Sequence, residues 1–206
     1  MNDNIYILQT ENERLRPVEL KDAEFIVRLR NQSHVVGRVH DTSQDVERQR
    51  QWINEYLTRD NEYYWIIESL SGEPLGTFSF YHYDKEKNQI ESGRWVRIHD
   101  SLSGSLSEEV LLKDFAFKVL NVSKVVADVV TTNKKVVKLH RFLGEREMYQ
   151  ESGVDGVGGT TVDVIWFEVT KEMWETNRKK MLKFCGKDED RIIFQRINNE
   201  LIKINY

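Results

Sequence analysis

The sequence is poor in cysteine and in proline. Cys185 is the one cysteine, so no disulfide can form within the chain and no thiolate cluster can bind a metal. Only two prolines, Pro17 and Pro74, occur in 206 residues, which predicts long regular elements with short connections. This cysteine usage is typical of a reducing compartment, and we expect a cytoplasmic protein.

The sequence also lacks the charge excess and the long apolar runs that mark nucleic-acid-binding and membrane proteins. Its formal net charge is −4, from 30 basic and 34 acidic side chains, which gives no cationic surface for nucleic acid or anionic lipid. No apolar run approaches the roughly 20 residues that span a bilayer, and no signal peptide is recognisable at the N-terminus. The five histidines are scattered without the spacing of a helical metal pair. We therefore expect no nucleic acid, no membrane and no metal, and either a monomer or a homodimer.

Hydrophobic periodicity predicts a change of organisation near the middle of the chain. A β-meander comes first, and helices then alternate with strands, which favours a mixed α/β sheet of about seven strands with helices on both faces. The predicted strands are 12–18, 63–69, 75–83, 89–98, 124–130, 146–151 and 161–170, and the predicted helices are 20–31, 45–58, 105–120, 133–142, 171–184 and 188–205. We expect residues 1–174 to form one domain and residues 175–206 a helical extension that packs on it.

Several sequence patches occur along this order of elements: residues 13–24, Arg30-Asn31, Trp52, residues 72–76, 90–96, 115–117, 133–144 and 162–167, and Trp174. Together with the order of elements, they resemble the GNAT N-acyltransferase superfamily over about residues 12–174. The branch that the sequence resembles most holds ribosomal-protein alanine acetyltransferases and amino-sugar acetyltransferases of surface-polysaccharide pathways. The resemblance implies the GNAT fold and the transfer of an acetyl group from acetyl-CoA to a primary amine of a small molecule, for which an amino sugar nucleotide is one candidate. A protein N-terminal acetyltransferase and a non-catalytic module that has lost CoA binding are the alternatives.

Three positions depart from the family pattern. The usual pyrophosphate loop, Arg/Gln-x-x-Gly-x-Gly/Ala, is replaced by Asp100-Ser-Leu-Ser-Gly-Ser-Leu-Ser107. His140 stands where the family usually has tyrosine, and Glu145 follows the final glycine where phenylalanine is usual. These departures bear on cofactor binding and on the identity of the catalytic acid.

Glu91 is the candidate general base that deprotonates the amine. It lies in an otherwise apolar and aromatic strand, where burial would raise the pKa of a carboxylate towards the working pH. The family position supports this role. A glutamate that points to solvent or pairs with Arg94 is the alternative.

Three further residues are candidates near the reacting thioester. Where the family places a tyrosine, His140 could donate the proton to the leaving thiolate, although a lone helical histidine can equally be a surface or packed residue. Tyr149 is a candidate substitute for this acid. Asn133 is expected to cap the helix that follows it, and the family also implies a contact between this asparagine and the pantetheine arm.

The resemblance implies that two strands part and that the exposed strand edge pairs with the pantetheine arm of acetyl-CoA. This carries over to the backbone of Val96, Arg97 and Ile98, and Gly93 is expected to mark a bulge in the same strand.

The pyrophosphate is expected at the start of the next helix, at Ser103, Gly104 and Ser105, where free N–H groups and hydroxyls could bind it. Glu108 and Glu109 in the first turn would repel an anion, and an ordinarily capped helix without a ligand is the alternative.

A polar cluster lies at the end of the first helix. Arg30, Asn31 and His34, with Arg38 and His40 beyond them, could bind an anionic or hydroxyl-rich acceptor such as a nucleotide sugar. A solvated basic edge would explain the same residues.

Overall fold

Ten strands form one mixed sheet in the part of the chain that the computed structural model describes, which is residues 5–36, 44–98, 105–155, 161–185, 187 and 190–206. The strands are β1 Ile5–Gln9, β2 Glu13–Pro17, β3 Tyr63–Ser69, β4 Pro74–Asp84, β5 Gln89–Arg97, β6 Lys124–Val130, β7 Arg146–Asp155, β8 Thr161–Thr170, β9 Ile192–Ile197 and β10 Glu200–Ile204. They lie in the order β10-β9-β1-β2-β3-β4-β5-β6-β8-β7. Neighbouring strands are antiparallel except for β5 and β6, which are parallel.

Helices cover both faces of this sheet. They are α1 Ala23–Arg30, α2 Val46–Tyr56, α3 Ser105–Asp114, α4 Lys134–Phe142 and α5 Lys171–Cys185. A 3-10 turn, Leu20–Asp22, precedes α1, and a π-helical turn, Phe115–Val119, continues α3.

Strand β3 shows how the two faces are separated. Its side chains alternate between the faces, so Tyr64 and Ile66 pack with α1 and α2, whereas Trp65 and Ile67 pack with α3 and the π-helical turn. The predicted mixed α/β fold with helices on both faces is therefore confirmed. The number of strands is higher than the seven predicted, because β1, β9 and β10 extend the sheet.

The predicted helix at 188–205 is wrong, since residues 192–204 form the hairpin of β9 and β10. Two asparagines at its turn, Asn198 and Asn199, have φ values of +50° and +67°, and this left-handed geometry is favoured by asparagine and suits a two-residue hairpin. Strand β9 pairs with β1 and buries Ile193 opposite Leu8. The helix predicted at 171–184 is confirmed as α5, while the division of the chain at residue 174 stays a prediction.

A buried polar cluster fastens α5 to α3. The Asp114 carboxylate is fully buried, and it accepts hydrogen bonds from Trp174 Nε1 at 3.0 Å and from Arg178 Nη2 at 2.6 Å. Lys118 Nζ lies 3.3 Å from the same carboxylate. The start of the C-terminal segment is thus held by directional contacts as well as by apolar packing.

Within the described ranges, no helix combines the length and the apolar character that crossing a bilayer demands.

Candidate active site

The parallel strands β5 and β6 part after a short common ladder. Their register comprises three pairs and ends where Glu91 lies opposite Val126. Beyond this point β5 continues along β4 as far as Arg97, while β6 continues along β8 as far as Val130. The two strands therefore form a fork, and the strand edges that line it face each other without a shared ladder.

A β-bulge shapes the β5 side of the fork. The β4–β5 register shifts by one residue between the pair Ser79–Gly93 and the pair Thr77–Val96, and Arg94 takes a left-handed φ of +52°. A Cβ atom on Gly93 would lie 2.3 Å from the Tyr81 hydroxyl oxygen, so glycine is required where the strand passes this side chain. The bulge expected at Gly93 is confirmed.

The backbone at 96–98 faces the fork only in part. The Ile98 N–H donates to the Leu75 carbonyl at 2.9 Å, so it points towards β4. Because successive peptide groups of a strand point to opposite edges, the Arg97 groups face the fork and those of Val96 face β4. His34 Nε2 lies 3.1 Å from the Arg97 carbonyl oxygen, on that open side. Three consecutive residues therefore cannot all present their amides to one ligand, and Arg97 is the one oriented to do so.

The Arg97 side chain is part of a buried cluster with two glutamates. Its Nη1 donates to Glu13 at 3.2 Å and also contacts the Glu108 carboxylate. Burial, followed by the hydrogen bond with Glu13, raises the pKa of Glu108 to about 8. For Glu13, the hydrogen bond from Glu108 and the charge of Arg97 outweigh burial and lower the pKa. The pair thus shares one proton at neutral pH, which removes most of the repulsion that Glu108 was expected to exert on an anion near α3.

Substitution of Glu108 by glutamine should flatten the pH dependence of stability. A folded-state pKa raised from 4.5 to about 8 means that the folded protein binds more protons than the unfolded chain between these values. Stability is therefore fully present below pH 4.5 and falls as pH rises through 8. We expect the wild-type free energy of unfolding to fall over this interval and the Glu108→Gln curve to lose this component, measured by urea denaturation at each pH.

The exposed Glu55→Gln variant is the control, and it should follow the wild type. Equal pH slopes for wild type and Glu108→Gln would contradict the shared proton.

His140 is buried and held by Glu145. Its Nδ1 lies 2.7 Å from Glu145 Oε2, and its ring stacks on Phe167 with centroids 4.8 Å apart. Lys113 Nζ lies 3.1 Å from the Glu145 carboxylate and 2.8 Å from that of Glu109. The two departures from the family pattern, at positions 140 and 145, are therefore direct contacts of each other.

Glu91 lies at the base of the fork, on the face covered by α1 and α2. Its side chain is 13% exposed, and its Oε2 lies 3.0 Å from Nδ1 of His82, which is 70% exposed. Burial, then the charges of Glu91 and Asp128, raise the pKa of the Tyr81 phenol, which therefore stays protonated at neutral pH. One half-buried carboxylate, one phenol and one exposed imidazole thus lie together where the strands part.

The remaining predicted site residues have simpler surroundings. Asn133 caps α4, because its side chain accepts from the Val136 N–H at 3.4 Å. The side-chain amide of Asn31 donates to the Val27 carbonyl at 2.8 Å and ends α1. Arg30 lies close enough to the buried Tyr64 phenol to lower its pKa, although burial dominates and raises it.

Tyr149 is not brought together with His140. It is 52% exposed on β7 and stacks on Trp166, whereas His140 stacks on Phe167. Adjacent residues of β8 face opposite sides of the sheet, so the two candidate acids lie on opposite faces.

Part of the predicted site lies outside the described residues. This applies to Ser103, Gly104, Arg38 and His40. Ser105 is the first residue of α3.

A pocket of about 270 Å³ lies beside the first turn of α3, between the β1–β2 turn and the end of α5. Its lining includes Glu11, Glu13 and Asp190, together with Ser107 and Cys185. Three carboxyl groups make it a poor site for a phosphate. In the described part of the chain, no group of three or more histidine, cysteine, aspartate or glutamate side chains is arranged to hold a metal ion.

Comparison with known families decides what this arrangement is. Residues 14–146 match the model of the acetyltransferase (GNAT) domain. The chain belongs to the GNAT acetyltransferase family. Members of this family use acetyl-CoA, and the matched range contains the fork, the bulge, Glu91 and His140.

Solved structures agree with this assignment. The GNAT chain is 26% identical to apo FdhC, described as a nucleotide-linked sugar GNAT, with a TM-score of 0.69, covering 90% of this chain and 100% of that one. It is 18% identical to a mutant of the spermidine N-acetyltransferase SpeG from Vibrio cholerae, with a TM-score of 0.68 and coverage of 81% and 98%. The second likeness shows the fold alone. No curated protein matches the sequence.

Several residues around the fork of this GNAT domain were not predicted from the sequence as members of the site. Asp128 lies past the last β5–β6 pair on β6, His82 contacts Glu91, and Arg94 occupies the bulge. Asp128 and His82 belong to no motif, and Arg94, although it lies within residues 90–96, was considered only as a partner of Glu91; the folded sheet brings the three together. The apposition of His140 and Glu145 is the exception, since both positions already stood out from the family pattern.

Proposed function

We propose that this GNAT acetyltransferase transfers an acetyl group from acetyl-CoA to a primary amine of a small anionic acceptor, for which an amino sugar nucleotide is the leading candidate. The observation that carries the proposal is the fork after Glu91 and Val126. An open strand edge can bind an extended pantetheine arm as an added strand would be bound. Family membership supports acetyl-CoA as the donor.

The residues at the fork can perform the proton transfers that the reaction needs. Acetyl-CoA supplies a thioester carbonyl that a neutral amine can attack. Glu91 would accept a proton from the amine at Oε1 or Oε2 and release it to water through His82, which is 70% exposed. His140 would donate the Nε2 proton to the departing sulfur and recover a proton from solvent. One C–N bond forms and one C–S bond breaks, so the proton taken by Glu91 balances the proton given by His140.

The surroundings of Arg94 favour an anionic acceptor over a polyamine. Its guanidinium lies over the rings of Tyr81, Trp52 and Tyr64, with the carbon 4.1, 5.1 and 5.7 Å from their centroids. Nη1 donates to the Ser79 hydroxyl at 3.1 Å, and no carboxylate of the described residues forms an ion pair with it. A fixed cation next to the bulge attracts phosphate and repels a protonated polyamine.

Substitution of Arg94 by leucine should raise KM for an amino sugar nucleotide by about 10- to 100-fold, because a charge-assisted hydrogen bond to phosphate is worth about 1.5–3 kcal/mol. The KM for the matching amino sugar without phosphate should change little. Arg59→Leu is the matched control, since Arg59 also lies over the Trp52 ring, at 5.4 Å, but pairs with Glu62. If Arg94→Leu raised KM equally for both acceptors, the proposed contact between Arg94 and the phosphate would be contradicted.

Two measurements test the proposed function as a whole. Isothermal titration should show acetyl-CoA binding, and an assay of CoA release should show turnover with amino sugar nucleotides in preference to spermidine and to N-terminal peptides. Absence of binding at millimolar acetyl-CoA would instead support a non-catalytic GNAT module. Preference for the peptides would identify a protein N-terminal acetyltransferase.

A further inference from the structure

Four buried ionisable side chains form a continuous chain on the face of the sheet that carries α3 and α4. Glu109, Lys113, Glu145 and His140 alternate in charge type, with successive contacts of 2.8, 3.1 and 2.7 Å. Each of the four residues is less than 9% exposed. Burying several ionisable groups is expensive unless they pair, so this chain of contacts calls for an explanation.

The His140 end of this chain of contacts lies one strand away from the fork. His140 stacks on Phe167, and Phe167 is the β8 partner of Ala127. Ala127 is the first residue of β6 beyond the last β5–β6 pair, which is Glu91 with Val126. The imidazole therefore lies one strand away from the point at which the fork opens.

Glu145 determines which nitrogen of the His140 imidazole carries the hydrogen. Burial alone would raise the pKa of Glu145, but the charges of Lys113 and then His140 outweigh burial and hold it at about 2. Glu145 is thus an ionised carboxylate that can only accept hydrogen bonds. Its contact with Nδ1 then requires a proton on Nδ1, which leaves Nε2 as the nitrogen directed away from Glu145.

The charged groups around His140 come from the same four side chains. Beside His140, the chain of contacts contains two acidic side chains, Glu109 and Glu145, and one basic side chain, Lys113. The groups that face His140 are Glu145, which precedes β7, Lys113 and Glu109 of α3 behind it, and the apolar Phe167 of β8. The carboxylate of Glu145 is therefore the acidic group in direct contact with the imidazole.

We infer that Glu145 is a positioning residue for His140: it holds Nδ1–H so that Nε2–H serves as the proton donor at the fork, and Lys113 anchors Glu145 in turn. This inference rests on the proposed acyl transfer and on His140 as its acid. Glu145 keeps its charge throughout and exchanges no proton itself. It is the partner that lets a histidine work at a position where the family uses tyrosine.

A double-mutant cycle tests the coupling of Glu145 to His140. Glu145→Gln should lower kcat by about 10- to 100-fold, as expected for loss of a supporting hydrogen bond to a functional histidine, and should leave KM for acetyl-CoA nearly unchanged. In a His140→Tyr background, the Glu145→Gln change should have little further effect. Equal losses in both backgrounds would overturn the positioning role.

The control is Glu147→Gln, which removes the partner of Arg141 in an exposed ion pair at the end of α4 and should leave kcat unchanged. Nitrogen-15 NMR of the histidine side chains provides a readout that does not depend on activity. We expect wild-type His140 to show a protonated Nδ1, and Glu145→Gln to lose this signature. An active wild type with an unprotonated Nδ1 overturns this inference, whereas a protonated Nδ1 in a protein that acetylates no acceptor overturns the proposed function.

Discussion

Glu91→Gln should lower the turnover number about 100-fold or more, because removing a general base costs roughly that factor. Glutamine has nearly the shape of glutamate but cannot take a proton from the attacking amine. The carboxylate lies at the base of the fork with its side chain 13% exposed, so water cannot readily replace it. The affinity for acetyl-CoA should change little, since the carboxylate acts on the amine. Steady-state kinetics and titration calorimetry on the same protein separate the two effects.

Two further variants sharpen this test. Glu86→Gln, in the exposed turn between β4 and β5, is a control with the same chemical change and should keep wild-type turnover. His82→Gln removes the imidazole 3.0 Å from Glu91 and should cause a smaller loss. Wild-type turnover in Glu91→Gln would exclude it as the base. Asp128, which lies past the fork on β6, would then be the next carboxylate to replace.

Asp114→Ala should lower the free energy of unfolding by about 3–5 kcal/mol, the range for breaking a buried ion pair by removing one partner. The Asp114 carboxylate is fully buried and bonds both the Trp174 indole and the Arg178 guanidinium. Without it, a buried N–H loses its acceptor and a largely buried cation loses its counter-charge. Urea unfolding gives the difference, and limited proteolysis should cut earlier within α5.

The appropriate comparison is an exposed pair of the same type. Glu147→Ala breaks the contact with Arg141; the Glu147 side chain is 45% exposed and that of Arg141 is 55% exposed. Exposed ion pairs stabilise a protein by about 1 kcal/mol or less. A loss below 1 kcal/mol for Asp114→Ala, equal to that of the control, would show that apolar packing alone holds α5.

The sequence predicted those elements whose pattern is local. Strands β3, β6 and β8 begin and end where their β-rich runs do, because turn residues bound each run. The C-terminal hairpin was mistaken for a helix because the isoleucines of 192–204 also fit a helical stripe. The pair Asn198–Asn199 was the local signal for a hairpin turn. The hairpin is favoured over a helix only in the folded sheet, where β9 pairs with β1.

The candidate site was predictable only where the family pattern pointed to it. Glu91 and His140 were predicted from their positions in the family pattern and Arg97 from the expectation of an open strand edge, and their roles stay predictions. The orientation of single amides at 96–98 depends on the β4–β5 register, which a bulge shifts by one residue. The contact of Glu145 with Lys113 joins α3 to the residue before β7, and no spacing in the sequence signals a pairing across 32 positions.

The pairing of β1 with β9 has a consequence for biosynthesis. Ile5 lies opposite Arg196, so strands about 190 positions apart in the sequence must meet before this part of the sheet is complete. Such distant pairings close slowly, and during translation the outer edge of β1 has no partner until β9 has been synthesised. Nascent chains are therefore most exposed to misassembly at β1, and β10 becomes the outermost strand only when β9 has docked.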